Sequence, residues 1–352
     1  MTASIRWHIL VMLAVGLCLP ACAQHGLSTP ASGDTPPVSG GAKPVSGPLP
    51  RIDKPVLFNT PEADRILSHL QIFPPDNPWN EDISRRPVAA NSARIIASMK
   101  SRRELGYNLD MCFIIVPANQ PKIPVKIKSY PEESDPGPYP IPDNTPVEGW
   151  PLCAKNHPAL TLDKLQRDGD GDRHLLVLDP YAMKVYEMWR GFKRGTGWEV
   201  AQVAMFDLRS NKTRPNGWTS GDAAGLPIMP ATVRFDECER GMVNHALRVT
   251  VRHSQNAYVY PATHFASRLA DPDLPRMGER MRLRQDFDMH GFSPHAQAIL
   301  KGLKKYGMFV ADNGMDWLIS IAPDERLKGL DDLHRVKPAD FEVIVPTGPA
   351  GR

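Results

Sequence analysis

The stretch that decides the fold is His174–Phe206, HLLVLDPYAMKVYEMWRGFKRGTGWEVAQVAMF. Three strands are legible in it: His174–Leu178, Met183–Trp189 and Trp198–Phe206. Each is rich in β-branched, aromatic or other apolar residues, and Asp-Pro or glycine-bearing breaks separate them. Further strands are expected at His245–His253, Ala257–Pro261 and Arg280–Phe287. In LRVTVRH, Leu247, Val249 and Val251 share one face while Arg248, Thr250 and Arg252 share the other. Arg280, Arg282 and Arg284 alternate in the same way with Met281 and Leu283. Such contrast predicts antiparallel sheets with one side packed and one side wet.

Ser293 and Pro294 cap and open a helix ended by Gly307, with Ala296, Ile299, Leu300 and Leu303 as its buried stripe. Met308–Ile321 reads as a hairpin turning at Asp312-Asn313-Gly314, and Phe341–Val345 as a last short strand. On the N-terminal side, Thr60-Pro61 starts a short helix to about Leu70. Ser92 caps a second helix carrying Ile95, Ile96, Met99 and Leu105, which Gly106 stops. Met111–Val116 and Pro124–Ser129 are strands, the latter with Lys126 and Lys128 facing out. The fold expected is mainly β: one antiparallel β-sandwich, jelly-roll-like, with a few peripheral helices, over residues 56–346, followed by a tail at 347–352.

Between the strands lies Phe206–Glu237, FDLRSNKTRPNGWTSGDAAGLPIMPATVRFDE. Long connections without regular structure tend to be functional. Trp218 offers an apolar face beside Thr219, Ser220 and Asp222, a combination that suits a sugar ring. Arg234, Asp236 and Glu237 follow. A glycosidase needs two carboxyl groups flanking the scissile bond, and Asp222, Glu237 and Glu187 are the candidates. The alternatives are an Asx-turn at Asp222 and a surface pair at Arg234–Asp236. Glu187 shares strand parity with Val185 and Trp189. On a buried face its carboxyl would be desolvated and its pKa raised; on the other face it is an ordinary solvated residue.

Histidines supply a rival chemistry. His174, His245 and His264, with Tyr258, Tyr260 and Arg248, make up the set of a polysaccharide lyase: a cation neutralises a uronate while His or Tyr abstracts the adjacent proton. Ser220 lies in no GxSxG elbow, which argues against a serine hydrolase. The candidate catalytic residues are therefore Asp222, Glu187, Glu237, His174 and His264. The candidate substrate-binding residues are Trp218, Thr219, Ser220, Arg234, Arg248 and Tyr258. Two further features have two readings each. The proline-rich Tyr130–Gly149 is a cleft wall or a structural loop. Asp168, Asp170 and Asp172, with Asp179, have calcium-loop spacing, but Arg173 replaces the sixth-position glycine and favours an acidic turn.

The bulk composition narrows the class. A net charge of +3 without a basic block argues against nucleic acid as partner. Residues 1–23 carry an export signal, with Arg6 before the short apolar run Ile9–Leu19. Two cleavage patterns fit. Leu19-Pro20-Ala21-Cys22 reads as a lipobox that would lipidate Cys22, and Ala21-Cys22-Ala23 as an ordinary signal-peptidase site. Residues 24–55, rich in Pro, Gly and Ser, read as a disordered tether. Cys112, Cys153 and Cys238 then permit at most one disulfide. No CxxC or His/Cys cluster has zinc spacing, and no cofactor is expected.

The segments FPPDNPWNEDIS (73–84), ESDPGPYPIP (133–142), GDRH (171–174), RPNGWTSGDAAGLPI (214–228), HALRVT (245–250) and YGMFVADNG (306–314) resemble those of a family of uncharacterised secreted bacterial proteins. The resemblance implies a single domain over nearly all of Phe73–Val345 and transfers no catalytic residues. The function expected is an exported carbohydrate-active enzyme of the cell envelope, hydrolysing a polysaccharide or envelope glycan. A polysaccharide lyase is the second reading, and a non-catalytic glycan-binding or envelope-structural protein the third. The protein is expected to be periplasmic, anchored at the outer membrane by a lipid alone, or secreted.

Overall fold

Leu175–Leu178 is apolar at every position because its sheet is covered on both faces. A computed structural model describes residues 47–99, 104–155, 157–346 and 348. The expected signal, Cys22 and most of the tether lie outside the described residues. Within them strand (23%) exceeds helix (19%), so the fold is mainly β. The strands are β1 (Val56–Leu57), β2 (Gly106–Leu109), β3 (Phe113–Ile115), β4 (Val125–Ile127), β5 (Leu175–Asp179), β6 (Lys184–Trp189) and β7 (Phe192–Arg194). They continue with β8 (Gly197–Val200), β9 (Gln202–Asp207), β10 (Leu247–Val251), β11 (Arg280–Leu283), β12 (Met308–Asn313), β13 (Leu318–Ile321) and β14 (Phe341–Val343).

Three sheets result, ordered β1-β3-β5-β6-β9, β14-β11-β12-β10-β13-β2 and β4-β8-β7. Alternate residues of the five-stranded sheet enter two different cores. Phe113, Ile115, Leu176, Leu178 and Val185 join a core shared with the six-stranded sheet. Ile114, Leu175, Val177, Tyr186 and Met188 join a second core with Trp198 and Val200 of the three-stranded sheet. The two-residue period of a strand thus feeds both cores from one sheet.

Several expectations need correction. The sheets are mixed: β3·β5, β4·β8, β10·β12 and β13·β2 are parallel. Met308–Ile321 is not a hairpin, because β10 inserts between β12 and β13. Trp198–Phe206 breaks at Ala201 into β8 and β9, which lie in different sheets. Gly106 does not stop a helix; it opens β2, where a Cβ would meet Leu318 Cδ2 at 2.6 Å. Ala257–Pro261 forms no strand and keeps only an isolated bridge, Tyr258 to Met277. Ile52, read as tether, is buried in the first core.

The arginine face of the six-stranded sheet is wet only at its margins, at the exposed Arg252 and Arg284. Arg248, Arg280 and Arg282 are all buried. Arg280 donates to Tyr306 O at 2.9 Å and to Glu81 Oε2 at 3.1 Å, and Arg282 to Glu342 Oε1 at 2.7 Å. Charged groups enter an interior only when paired and hydrogen-bonded in this way. The helix Pro294–Lys305 forms as its sequence predicts, with Ser293 at the N-cap position and Gly307 at φ +68° just past its end. No helix among the described residues is long and apolar enough to cross a membrane.

Candidate functional site

The Phe206–Glu237 segment runs between the two larger sheets and is fastened to both. Toward the five-stranded sheet, Glu187 of β6 accepts the backbone N–H groups of Ile228 (2.9 and 3.0 Å) and Met229 (2.8 Å). Toward the six-stranded sheet, Ala224 N donates to Ala311 O at 3.0 Å and Ala223 N to Asp312 Oδ2 at 3.1 Å. The proline-rich loop clamps the other end: Glu133 Oε2 accepts from Thr219 N (2.9 Å) and Thr219 Oγ1 (2.8 Å), and Asp135 pairs with Arg214 at 2.5 Å. That loop is therefore structural along this edge. Gly225, at φ +72°, completes the turn where a Cβ would meet Thr263 Oγ1 at 2.1 Å.

At the centre Arg248 of β10 grips Asp222 bidentately, Nε to Oδ2 at 2.8 Å and Nη2 to Oδ1, while its Nη1 reaches Ser320 Oγ of β13. Asp312 of β12 lies beside this pair, partly exposed. Burial and the charge of Asp222 push its carboxyl up to about 7, against the opposing pull of Arg248. Asp110, just past β2, is pushed up to about 6 by burial and by Glu148, and its Oδ1 meets no hydrogen-bond donor. His174 holds Glu148 Oε2 at 3.0 Å and Gly221 O at 3.2 Å. Burial alone would lower this histidine, but Glu148 outweighs it and the ring is raised to about 10.

Most of the expected site residues meet around this centre, in altered roles. Glu187 is on the buried face, and burial pushes it up to about 7. It is wholly enclosed and spent on backbone N–H groups, so it ties the loop down. Ser220 Oγ donates to Leu226 O at 2.5 Å, and Trp218 is flanked by the Arg214 guanidinium at 5.3 Å. His264 Nδ1 lies 3.2 Å from Ala223 O and its ring stacks on Phe265, while Tyr258 donates to Asn216 Oδ1 at 2.7 Å.

Arg234 and Glu237 lie elsewhere. They pair at 2.8 Å in a pocket of about 270 Å³ walled by Phe73, Trp79 and Tyr306. Burial would raise Glu237, but Arg234 and His245 hold it down at about 2. It cannot serve as a proton donor near neutrality. Sequence reading missed Asp110 and Asp312. Asp312 was visible only as a turn residue, and the elevation of both depends on neighbours distant in the chain. The acidic turn at Asp168–Asp172 is organised by Arg173, whose guanidinium donates to Asp168 O (2.8 Å) and Leu165 O (2.5 Å). Among the described residues no three His, Cys, Asp or Glu side chains form a group able to hold a metal ion.

No protein family, curated protein or solved structure matches the chain.

Proposed function

We propose that the protein is an exported carbohydrate-active enzyme that hydrolyses a polysaccharide or envelope glycan, with Asp312 as general acid and Asp222 as the partner carboxylate. The observation carrying this reading is the Asp312–Asp222 neighbourhood: a carboxyl raised to about 7 by burial and by Asp222, in a residue that is partly exposed, beside the Asp222 carboxyl paired with Arg248. Hydrolysis of a glycosidic bond asks for a pair of carboxyl groups, one of them able to donate a proton near neutrality. Asp312 would protonate the leaving oxygen. Asp222, held by Arg248, would supply the negative charge that keeps the proton on Asp312. The mainly β fold fits the sandwich-type architecture expected of such enzymes at the level of analogy only.

The lyase reading has less support. Its uronate-neutralising cation, Arg248, is already committed to Asp222, and its candidate base Tyr258 donates to Asn216. Export and a lipid anchor on Cys22 belong to the same proposal; Cys22→Ser should release the protein from membrane fractions, and unchanged association would contradict the anchor. The reaction is tested by incubating the protein with a panel of polysaccharides while following reducing ends and unsaturated-uronate absorbance together. New reducing ends without absorbance are expected. Both signals together would replace hydrolysis by elimination, and neither signal would remove the catalytic reading.

A further inference from the structure

The pocket holding Arg234 and Glu237 is separate from the Asp222–Asp312 centre, and its polar groups leave a defined remainder once their internal partners are assigned. Glu237 Oε2 takes Arg234 Nη2 at 2.8 Å and His245 Nε2 at 3.0 Å, and Glu237 Oε1 takes Asn244 N at 3.1 Å. His245 Nδ1 lies 2.7 Å from Ala246 O, and its Nε2 lies 3.4 Å from Arg234 Nη1 as well as 3.0 Å from Glu237 Oε2. Asp236, behind the pocket, takes Arg240 Nη2 at 2.8 Å and faces Arg234 Nε at 3.5 Å. Two guanidinium groups, Arg234 and Arg240, thus meet two carboxyl groups, with Arg234 Nε and Asp236 Oδ1 left buried without a hydrogen-bond partner.

The more exposed guanidinium is at the rim. The Arg240 side chain is 30% exposed and uses one nitrogen on Asp236, leaving N–H groups free for a carboxylate. Among the neutral groups of the pocket, two amides turn N–H groups toward backbone carbonyls. Asn80 Nδ2 lies within 2.9–3.1 Å of the carbonyls of Ile72, Phe73 and Pro74. Three carbonyls fix the amide with its NH₂ toward them, so Oδ1 remains an open acceptor. Asn244 Nδ2 is likewise spent on Met242 O at 3.1 Å. The remainder is therefore an apolar wall, two amide oxygens that want hydroxyl donors, and a guanidinium that wants a carboxylate, in about 270 Å³. This volume lies near the lower end of small-molecule sites.

We propose that this pocket binds a carboxylate-bearing sugar unit, a uronic acid or the uronate end of an oligosaccharide. The sugar hydroxyls would donate to Asn80 and Asn244, the carboxylate would pair with Arg240, and the C–H face of the ring would lie on the aromatic wall. The site is distinct from the proposed hydrolytic centre and does not depend on it. The test is titration calorimetry of the full chain with D-galacturonate, D-glucuronate and neutral D-glucose. Saturable millimolar or tighter binding of at least one uronate is expected, at least about tenfold tighter than glucose. Arg240→Ala should weaken it about tenfold or more with an unchanged far-ultraviolet spectrum and melting temperature, and Arg240→Lys should restore part of the loss. Asp312→Asn should leave uronate affinity unchanged, which separates this site from the reaction. Absence of saturable uronate binding, equal affinity for glucose, or full affinity in a folded Arg240→Ala protein would overturn the proposal.

Discussion

Arg248 and Asp222 form a bidentate ion pair in which both side chains are almost wholly buried, 5% and 1% exposed. The arginine comes from β10 and the aspartate from the long segment between the sheets, so one pair of charges fixes that segment to the six-stranded sheet. Removing one partner of a buried pair strands the other charge in a low-dielectric site. Asp222→Ala should destabilise the fold by about 3–5 kcal/mol, read as a lowered urea midpoint. The double change Asp222→Leu with Arg248→Met should recover most of that loss. A single variant as stable as the parent would show that the pair does not hold the segment.

Glu187 sets a pH dependence of stability. Its folded value is raised by burial to about 7 from an ordinary 4.5, so the folded state holds the proton more tightly than the unfolded state. The associated stability is full below the ordinary value and is lost as pH rises through about 7. Asp312, raised by burial and Asp222, acts in the same direction. The melting temperature should fall between about pH 5 and pH 8, and Glu187→Gln should shrink that fall. A fall of equal size in Glu187→Gln would assign it to other groups.

Cys112, Cys153 and Cys238 are all free thiols. Burial pushes the thiols of Cys112 and Cys238 well above the ordinary value, while Cys153 is partly exposed and raised less. The thiolate is the reactive form. Iodoacetamide on the native protein should therefore modify Cys153 first and spare the other two, and reductant should leave the melting temperature unchanged. Early labelling of Cys112, or a shift on reduction, would contradict this arrangement.

The parts of the fold legible in the sequence are those set by local pattern. The Pro294–Lys305 helix has its proline and terminal glycine in place, although the Ser293 hydroxyl donates to Gly329 O and caps nothing, and the β5 and β6 strands are marked by residue type alone. What failed depends on partners far along the chain. Asp312 and Asn313 do not turn the chain but end β12, the turn falling at residues 314–317, and β10 enters between β12 and β13, a third strand that no local signal reports. Arg280 and Arg282 alternate like a solvated face because Glu81 and Glu342, which pair with them, lie far away in sequence. The site divided in the same way. Asp222 was legible from its loop, whereas Asp312 became notable only through the burial and the neighbouring charge that raise it.

The most direct test of the hydrolytic centre is the turnover of Asp312→Asn beside the parent, on whichever polysaccharide the parent cleaves, measured as reducing ends across pH. The parent should lose turnover as pH rises through about 7, where Asp312 gives up its proton. Asp312→Asn should keep its fold and lose about 100-fold or more at every pH, because the amide has no proton to donate. A folded Asp312→Asn protein with full turnover would contradict the account.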